Sequence, residues 1–372
     1  MIRTSDARFR KPTLYPLSYG GICNYQLLND NICRYPFSSL TFNFLEFAVY
    51  CILTSMSKGY AAMSGKEKVT TNIMLFSTAF LWGTSYTVRK MAVVFINPFY
   101  FNAFRFFLAF VTVFAAYLIN SAIQKTRGNG AVREAEIAYK PVRWQISGGV
   151  LIGLAYGFGA NFQQFGLMTS DAGKCGFISA LYIFFVPLIS RLVLKRKIAG
   201  KIWFGAALAT VGLFFVSVGT GFNVITGDLM FLIAAVCFAI QTIMIGYYVR
   251  YSNPLFIVSM SLITCSVLSM ILSVLFERGN SPADLIPALF AAVYTGMITI
   301  GAANVLQFIA QKKASPPVAA IILSFESVFA ALCAAIFISE RMNSQQISGC
   351  CIIFFAIMIS QIDRKAKELS SS

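Results

Sequence analysis

The sequence predicts an all-α polytopic membrane protein. Of its 372 residues, 58% are hydrophobic and only 12% are charged, whereas an ordinary soluble domain is about half apolar and about a quarter charged. The apolar residues also occur in blocks of about 20, the length that a helix needs to cross a bilayer. A transmembrane barrel would instead need strands of about 10 residues in which apolar and polar positions alternate.

Ten apolar segments follow one another after residue 66. They cover residues 72–95, 98–120, 144–168, 174–194, 200–219, 226–249, 254–276, 285–310, 316–338 and 344–362. Asn97-Pro98 and Asn253-Pro254 each separate two segments. Proline ends one helix and is tolerated in the first turn of the next, so each pair marks a boundary between spans.

Basic residues lie mainly on one side of the predicted spans. The net charge is +16, but most Lys and Arg occur in every second loop, as in cytoplasmic loops of membrane proteins. The opposite side carries only Arg89, Lys90, Lys174, Arg278 and Arg341. This distribution places both ends of the ten-span core in the cytoplasm, with the core in the plasma (inner) membrane. It also explains the positive charge without a nucleic-acid partner.

The two halves of the core resemble each other in the order of their polar residues. The matched positions are Asn97-Pro98 and Asn253-Pro254, Asn161 and Asn304, and Gln164 and Gln307. Because each half has an odd number of spans, five, the second half would enter the membrane from the opposite side. Two inverted five-helix repeats are typical of transporters, whose binding site lies near the membrane centre between the repeats.

The predicted domain organisation has four parts. Residues 1–66 form an N-terminal extension, 67–220 the first repeat, 221–364 the second repeat, and 365–372 a cytoplasmic tail. Three interpretations of the extension remain open. Translation starts at Met63, the extension is a disordered or surface-lying tail, or Ser38–Met56 is a signal-like or eleventh apolar segment.

Several kinds of chemistry are excluded by composition. The chain has no histidine, so Ser-His-Asp hydrolysis, histidine zinc sites and histidine proton relays are not expected. Its nine cysteines include no CxxC pair, and we predict no metal and no cofactor. Among acidic residues within the apolar segments, Glu326 is the main candidate, and one carboxylate does not make a catalytic set. We therefore predict that the protein is not an enzyme.

Polar side chains within the spans are the candidates for substrate binding, because such groups are costly in a membrane. The predicted binding residues are Trp82, Ser85, Tyr86, Arg105, Asn161, Gln164, Tyr182, Gln241, Asn304, Gln307 and Glu326. Glu326, near the middle of its span, is also the proton-coupling candidate. Arg89, Lys90 and Lys174 would form a cationic outer vestibule that attracts carboxylates or phosphates. Helix packing, interhelical hydrogen bonds and interfacial anchoring are the structural alternatives for these residues.

Gly149, Gly153 and Gly157 recur every four residues, and Ala292 and Gly296 match the first two in the second half. Small residues at this spacing allow two helices to approach closely. We predict that these positions are packing surfaces.

Three separated blocks resemble the EamA-like branch of the drug/metabolite transporter superfamily. They are WGTSYTVRKMA with INPFYFNAFRFFLA, TSDAGKCGFISALYIFFVPLISRLVLKRK, and ASPPVAAIILSFESVFAALCAAIFISERMNSQQISGC. The resemblance covers about residues 70–362 and implies ten spans, two inverted repeats, and export or exchange of small metabolites without ATP. Ser327 stands where that family commonly has proline after the glutamate, so we do not carry over a kink there.

The sequence thus predicts a secondary transporter. It would move a small polar metabolite, such as an amino acid or related compound, by alternating access, with export implied by the resemblance and protons as the coupling ion. A facilitative channel-like uniporter and a non-transporting membrane scaffold are the alternatives. The predicted partners are the solute and the lipid bilayer, and a homodimer is left open.

Overall fold

Every regular element in the described part of the chain is a helix. The computed structural model describes residues 65–92, 94–127, 139–169, 178–193, 195, 198, 200–217, 226–337 and 344–361, which all belong to one compact unit, Phe47–Ser372. Apart from residues 65 and 66, the predicted extension lies outside the described residues. Lys174 and the tail 365–372 also lie outside them.

The first half of the described chain contains five α-helices. They are α1 (Gly65–Ala92), α2 (Pro98–Arg127), α3 (Val142–Gly166), α4 (Tyr182–Leu192) and α5 (Gly200–Ser217). The second half begins with α6 (Thr226–Tyr248) and α7 (Pro254–Phe276), followed by α8 (Leu285–Val293), a π-helical segment (Tyr294–Ala302) and α9 (Ala303–Gln311). It ends with α10 (Pro316–Leu323), α11 (Glu326–Phe337) and α12 (Ser344–Gln361).

The two Asn-Pro pairs begin helices, as predicted. Pro98 is the first residue of α2 and Pro254 the first of α7. The side chain of Asn253 accepts a hydrogen bond from the Leu255 amide at 3.0 Å, which satisfies one of the free N–H groups at the helix start. The start of α2 receives a different cap, because the two Glu277 carboxylate oxygens accept from the amides of Phe99 and Tyr100 at 2.8 and 3.0 Å.

Among the described residues, four helical stretches are long and apolar enough to cross a membrane. They are Pro98–Thr126, Thr226–Tyr251, Pro254–Phe276 and Pro282–Gln311. Shorter apolar helices lie at Ile178–Leu192, Gly200–Phe215, Pro316–Ala330 and Ile347–Ala356. Large apolar side chains are exposed on the outside, including Val274 (75%) and Phe276 (71%) at the end of α7. Such an apolar surface is suited to contact with lipid, because soluble proteins rarely expose large contiguous apolar patches.

Glycines allow α3 to lie directly against α7. A Cβ atom on Gly149 would lie 2.4 Å from the Met260 Cβ, and one on Gly153 would lie 2.5 Å from the Ser261 carbonyl oxygen. Gly296 makes the corresponding approach to α2, where a Cβ would lie 2.6 Å from the Arg105 carbonyl oxygen. The prediction that these small residues are packing surfaces is therefore confirmed.

The apolar segment 316–338 contains a break instead of one continuous helix. α10 ends at Leu323, Ser324 and Phe325 form a turn, and α11 begins at Glu326. The break occurs although Ser327, and not proline, follows Glu326. It places Glu326 in the first turn of α11.

Candidate functional site

A cavity lies among α1, α2, α3, α4, α6, the π-helical segment and α11. The empty space among its lining residues is about 550 Å³, including space that is open to solvent. Its lining residues are Trp82, Ser85, Tyr86, Arg89, Arg105, Tyr156, Ala160, Gln163, Tyr182, Phe238, Gln241, Thr242, Thr299, Ile300 and Glu326. The lining includes two guanidinium groups, those of Arg89 and Arg105, and one carboxyl group, that of Glu326.

Helical spacing explains how α1 contributes four of the lining residues. Trp82, Ser85, Tyr86 and Arg89 are separated by three, one and three positions, so they share one face of the helix. Gly83 lies beside them, where a Cβ atom would be 2.7 Å from the Glu326 carbonyl oxygen. The absence of a side chain at Gly83 therefore lets the start of α11 approach α1 closely.

Gln163 on α3 connects the cavity wall through hydrogen bonds. Its Oε1 accepts from the Arg89 guanidinium at 2.7 Å. Its Nε2 donates to the Tyr86 hydroxyl at 3.0 Å and to the Ser179 hydroxyl at 2.7 Å. The Arg89 guanidinium also lies over the Tyr86 ring, 4.7 Å from its centroid. Tyr86 on α1 and Gln163 on α3 therefore hold the guanidinium in place, and the ring face stabilises its positive charge.

Arg105 on α2 is oriented by a second set of hydrogen bonds. Its Nε donates to the Asn102 Oδ1 at 2.8 Å. Asn102 in turn donates to the Asn161 Oδ1 at 2.9 Å, and Asn161 donates to the Ser269 hydroxyl at 2.8 Å. This series of hydrogen bonds joins α2 to α3 and α7. It uses the Nε of Arg105, so the two terminal nitrogens remain available to a molecule in the cavity.

Glu326 is 4% exposed and lines the cavity at the start of α11. Within the described residues, no hydrogen bond or ion pair reaches its carboxylate. An ion pair joins the Lys313 ammonium and the Glu67 carboxylate at 2.8 Å, at the ends of α9 and α1 and away from the cavity. Glu326 and Arg105 do not form an ion pair, although they share the cavity.

Most of the predicted binding residues meet at this cavity. Those that line it are Trp82, Ser85, Tyr86, Arg105, Tyr182, Gln241 and Glu326, together with Arg89 from the predicted vestibule. They come from helices far apart in the sequence, so the cavity is built by the fold and not by one motif.

The remaining predicted residues lie elsewhere. Asn161 is behind Arg105, and Asn304 donates to the Tyr156 hydroxyl at 3.3 Å, one layer behind the cavity. Gln164 and Gln307 are fully buried but outside the lining, and their amide atoms have no partner in the described chain. The Lys90 ammonium donates to the Leu167 carbonyl at 2.6 Å and does not line the cavity.

The prediction did not select Gln163, Tyr156 and Thr299 as site residues. For α3 a signal existed, because Tyr156, Ala160 and Gln163 follow the same helical spacing as the α1 residues. Gln164 recurs as Gln307 in the second half, a recurrence compatible with packing or with binding, and both side chains are buried outside the lining. Thr299 lies in an apolar run with no local signal.

Comparison with known proteins gives the family. The model of the EamA-like transporter family matches residues 69–218 and again 225–361. An uncharacterized transporter of Archaeoglobus fulgidus is 29% identical over 321 residues, which cover 85% of this chain and 94% of the relative. The uncharacterized transporter YoaV of Bacillus subtilis is 22% identical over 288 residues, which cover 75% and 94%.

A solved crystal structure has the same fold. It aligns with a TM-score of 0.62 and 16% identity, covering 79% of this chain and 96% of the other. This likeness concerns the fold alone, and the protein's class comes from the two family matches and the transporter relatives. The chain is a multi-pass membrane transporter that belongs to the EamA-like transporter family.

Proposed function

We propose that the protein is a secondary transporter that exports a small polar metabolite, such as an amino acid or related compound, from the cytoplasm. The observation that carries the proposal is the cavity in which Arg89, Arg105 and Glu326 meet inside an apolar helical protein. Polar and ionisable groups inside a membrane are costly and usually mark a solute or ion pathway. The direction of transport rests on the family alone.

The proposed architecture has ten spans in two inverted repeats, 67–220 and 221–364, with both ends of the core on the cytoplasmic face of the plasma membrane. Reciprocal packing supports the repeats. α3 of the first half packs on α7 of the second, and the π-helical segment of the second half packs on α2 of the first. Such a crossed arrangement is expected when two related halves face each other about a pseudo-two-fold axis.

The proposed mechanism is alternating access. Rocking of one repeat against the other would expose the cavity to one side of the membrane and then to the other. The solute drives this exchange only as far as it binds the two states with different affinity. Glu326 is the proposed proton carrier, because its carboxylate is buried at the cavity and lacks a fixed partner among the described residues.

Flux measurements test the proposal. The detergent-purified full chain is first screened against a metabolite library by thermal shift, and the solutes that stabilise it are then assayed in proteoliposomes. We expect saturable uptake of a stabilising solute, accelerated by an imposed proton gradient, with protein-free liposomes as control. Non-saturating flux would identify the channel-like uniporter, and the absence of flux for every stabilising solute would favour the scaffold.

A further inference from the structure

Arg105 is a buried cation without an acidic partner. Its side chain is 3% exposed, and its Nε donates to an amide oxygen, that of Asn102. No carboxylate in the described part of the chain lies within ion-pair distance of it. Its guanidinium instead lies over the rings of Phe101 and Phe106, 5.6 and 5.2 Å from their centroids.

These contacts compensate only part of the cost of burying the charge. A buried ion without a counter-ion is destabilising, and a cation over an aromatic face recovers only a small part of that cost. Arg89 lines the same cavity, so a second positive charge repels Arg105. An anion in the cavity would be attracted by both guanidinium groups.

The geometry of Arg105 suits a planar anion. Asn102 occupies the Nε donor and is itself fixed through Asn161 and Ser269. The edge formed by the two terminal nitrogens remains for a ligand. Two parallel N–H groups on this edge match the two oxygens of a carboxylate, and such bidentate pairs are among the strongest hydrogen bonds in proteins.

Three other side chains of the cavity have donors that find no partner in the described residues. They are the indole Nε1 of Trp82, the hydroxyl of Tyr182 and the Nε2 of Gln241. Tyr182 and Gln241 are each only 2% exposed. A ligand rich in acceptor oxygens would satisfy all three donors.

We infer that the cavity binds a small organic acid with net negative charge, that Arg105 holds one carboxylate of this ligand, and that Asn102 is a positioning residue for Arg105. The inference rests on the proposed function for the role of the cavity in transport, and it narrows the solute from polar metabolites in general to carboxylates with further oxygen acceptors. The donors of Trp82, Tyr182 and Gln241 would bind these further oxygens.

A matched set of four-carbon compounds tests the charge preference. Succinate, 4-aminobutyrate, 1,4-diaminobutane and 1,4-butanediol have the same chain length and differ in their end groups. Each is added at millimolar concentration to the purified full chain, and the melting temperature is measured. We expect succinate to raise it most, 4-aminobutyrate less, and the diamine and diol not at all. Stabilisation by the diamine or diol, by inorganic phosphate but not succinate, or by none of the compounds would overturn the inference.

Variants assign the effect to Arg105. We expect Arg105→Met to weaken succinate binding by at least about 30-fold, as when one partner of a buried charge pair is removed. Arg105→Lys keeps the positive charge but loses the two parallel N–H groups of the guanidinium. We expect it to bind succinate more weakly than the parent and to melt close to the parent without ligand. This variant provides a readout if Arg105→Met does not fold. Asn102→Ala should weaken succinate binding when Arg105 is present. In a protein that already carries Arg105→Met, Asn102→Ala should not weaken binding further. Lys313→Met, which removes a positive charge outside the cavity, should leave the affinity unchanged.

Flux separates this inference from the transporter proposal. Succinate binding that depends on Arg105, without flux of any bound acid, would retain the anion site and contradict transport. Saturable flux of a solute whose affinity is the same in Arg105→Met would retain transport and contradict the anion site.

Discussion

Two adjacent glutamines on α3 have opposite environments. Gln163 uses both ends of its amide, accepting from Arg89 and donating to Tyr86 and Ser179. Gln164 is fully buried and neither of its amide atoms has a partner in the described residues. A satisfied amide stabilises its surroundings, whereas an unsatisfied one costs the desolvation of its polar atoms.

Replacing each glutamine by leucine should therefore have different effects. We expect Gln163→Leu to destabilise the protein by roughly 1–3 kcal/mol, because three polar partners lose a hydrogen bond, and to weaken solute binding because Arg89 loses its support. Gln164→Leu should be neutral or stabilising. Thermal unfolding in detergent, with solute binding as a second readout, compares the two. A greater loss for Gln164→Leu would contradict the assignment of Gln163 to the cavity wall.

Glu326→Gln tests the proposed proton coupling. The substitution keeps the shape of the side chain and removes its ability to gain and lose a proton. We expect normal expression and at least about a tenfold fall in proton-driven flux, equivalent to about 1.4 kcal/mol in the barrier, together with loss of its pH dependence. Glu67→Gln, at the exposed pair with Lys313, is the control and should transport normally. Parent-like flux by Glu326→Gln at every pH would rule out the charge role.

Much of the site could be predicted from residue types alone. Arg105, Glu326 and the α1 residues are conspicuous because charged and polar side chains are rare in apolar runs. The spacing of Tyr156, Ala160 and Gln163 marks one face of α3, but the sequence does not show which helix packs on Gly149 and Gly153, and in the structure this helix is α7. That packing turns Gln163 to the cavity and Gln164 away from it.

At the level of elements, helix starts were predictable and helix interruptions were not. The Asn-Pro pairs mark the starts of α2 and α7 because proline restricts the backbone locally. The break before Glu326 and the π-helical segment Tyr294–Ala302 have no proline within them. At the break, the Ser324 and Ser327 hydroxyls donate to the carbonyls of Ile321 and Ser324 at 2.7 and 2.9 Å. Serine makes such bonds in continuous helices too, so these two serines do not predict a helix interruption from the sequence.

The contact between α3 and α7 gives a prediction about stability. In Gly153→Ala the new Cβ would lie 2.5 Å from the Ser261 carbonyl oxygen, so the two helices must separate. We expect a net loss of roughly 1–3 kcal/mol from overpacking, although alanine favours a helix by up to about 1 kcal/mol over glycine. Gly200→Ala, with nothing within 4 Å of its Cβ, isolates the propensity effect and should be neutral or stabilising. Equal melting temperatures for the two variants would contradict close packing at Gly153.

On the scale of the whole molecule, the matching halves explain why the cavity is central. The family model matches twice, at 69–218 and 225–361, and the cavity takes residues from both matches. Length and charge distribution were enough to predict a polytopic helical protein. They did not give the arrangement of the helices around the cavity, because that depends on contacts between distant segments.

Cysteine labelling tests the inverted topology. Ser170 and Ser315 would occupy corresponding ends of the two repeats, so an antiparallel arrangement places them on opposite sides of the membrane. With the native cysteines replaced, Ser170→Cys should react with an impermeant maleimide from outside intact cells, and Ser315→Cys only after permeabilisation. The cysteine-free parent is the control. Labelling of both from the same side would contradict the inverted repeat.

The capped ends of α7 restrict how such a protein can move. At its start, the Asn253 amide donates to the side-chain oxygen of Gln145 on α3 at 3.1 Å, and just past its end Glu277 binds the first amides of α2. A helix fastened to two neighbours at its opposite ends cannot slide lengthwise without breaking one of these attachments. Rocking of the repeats would therefore have to pivot about these two attachments, because α2 and α3 cannot shift along α7 while both remain intact.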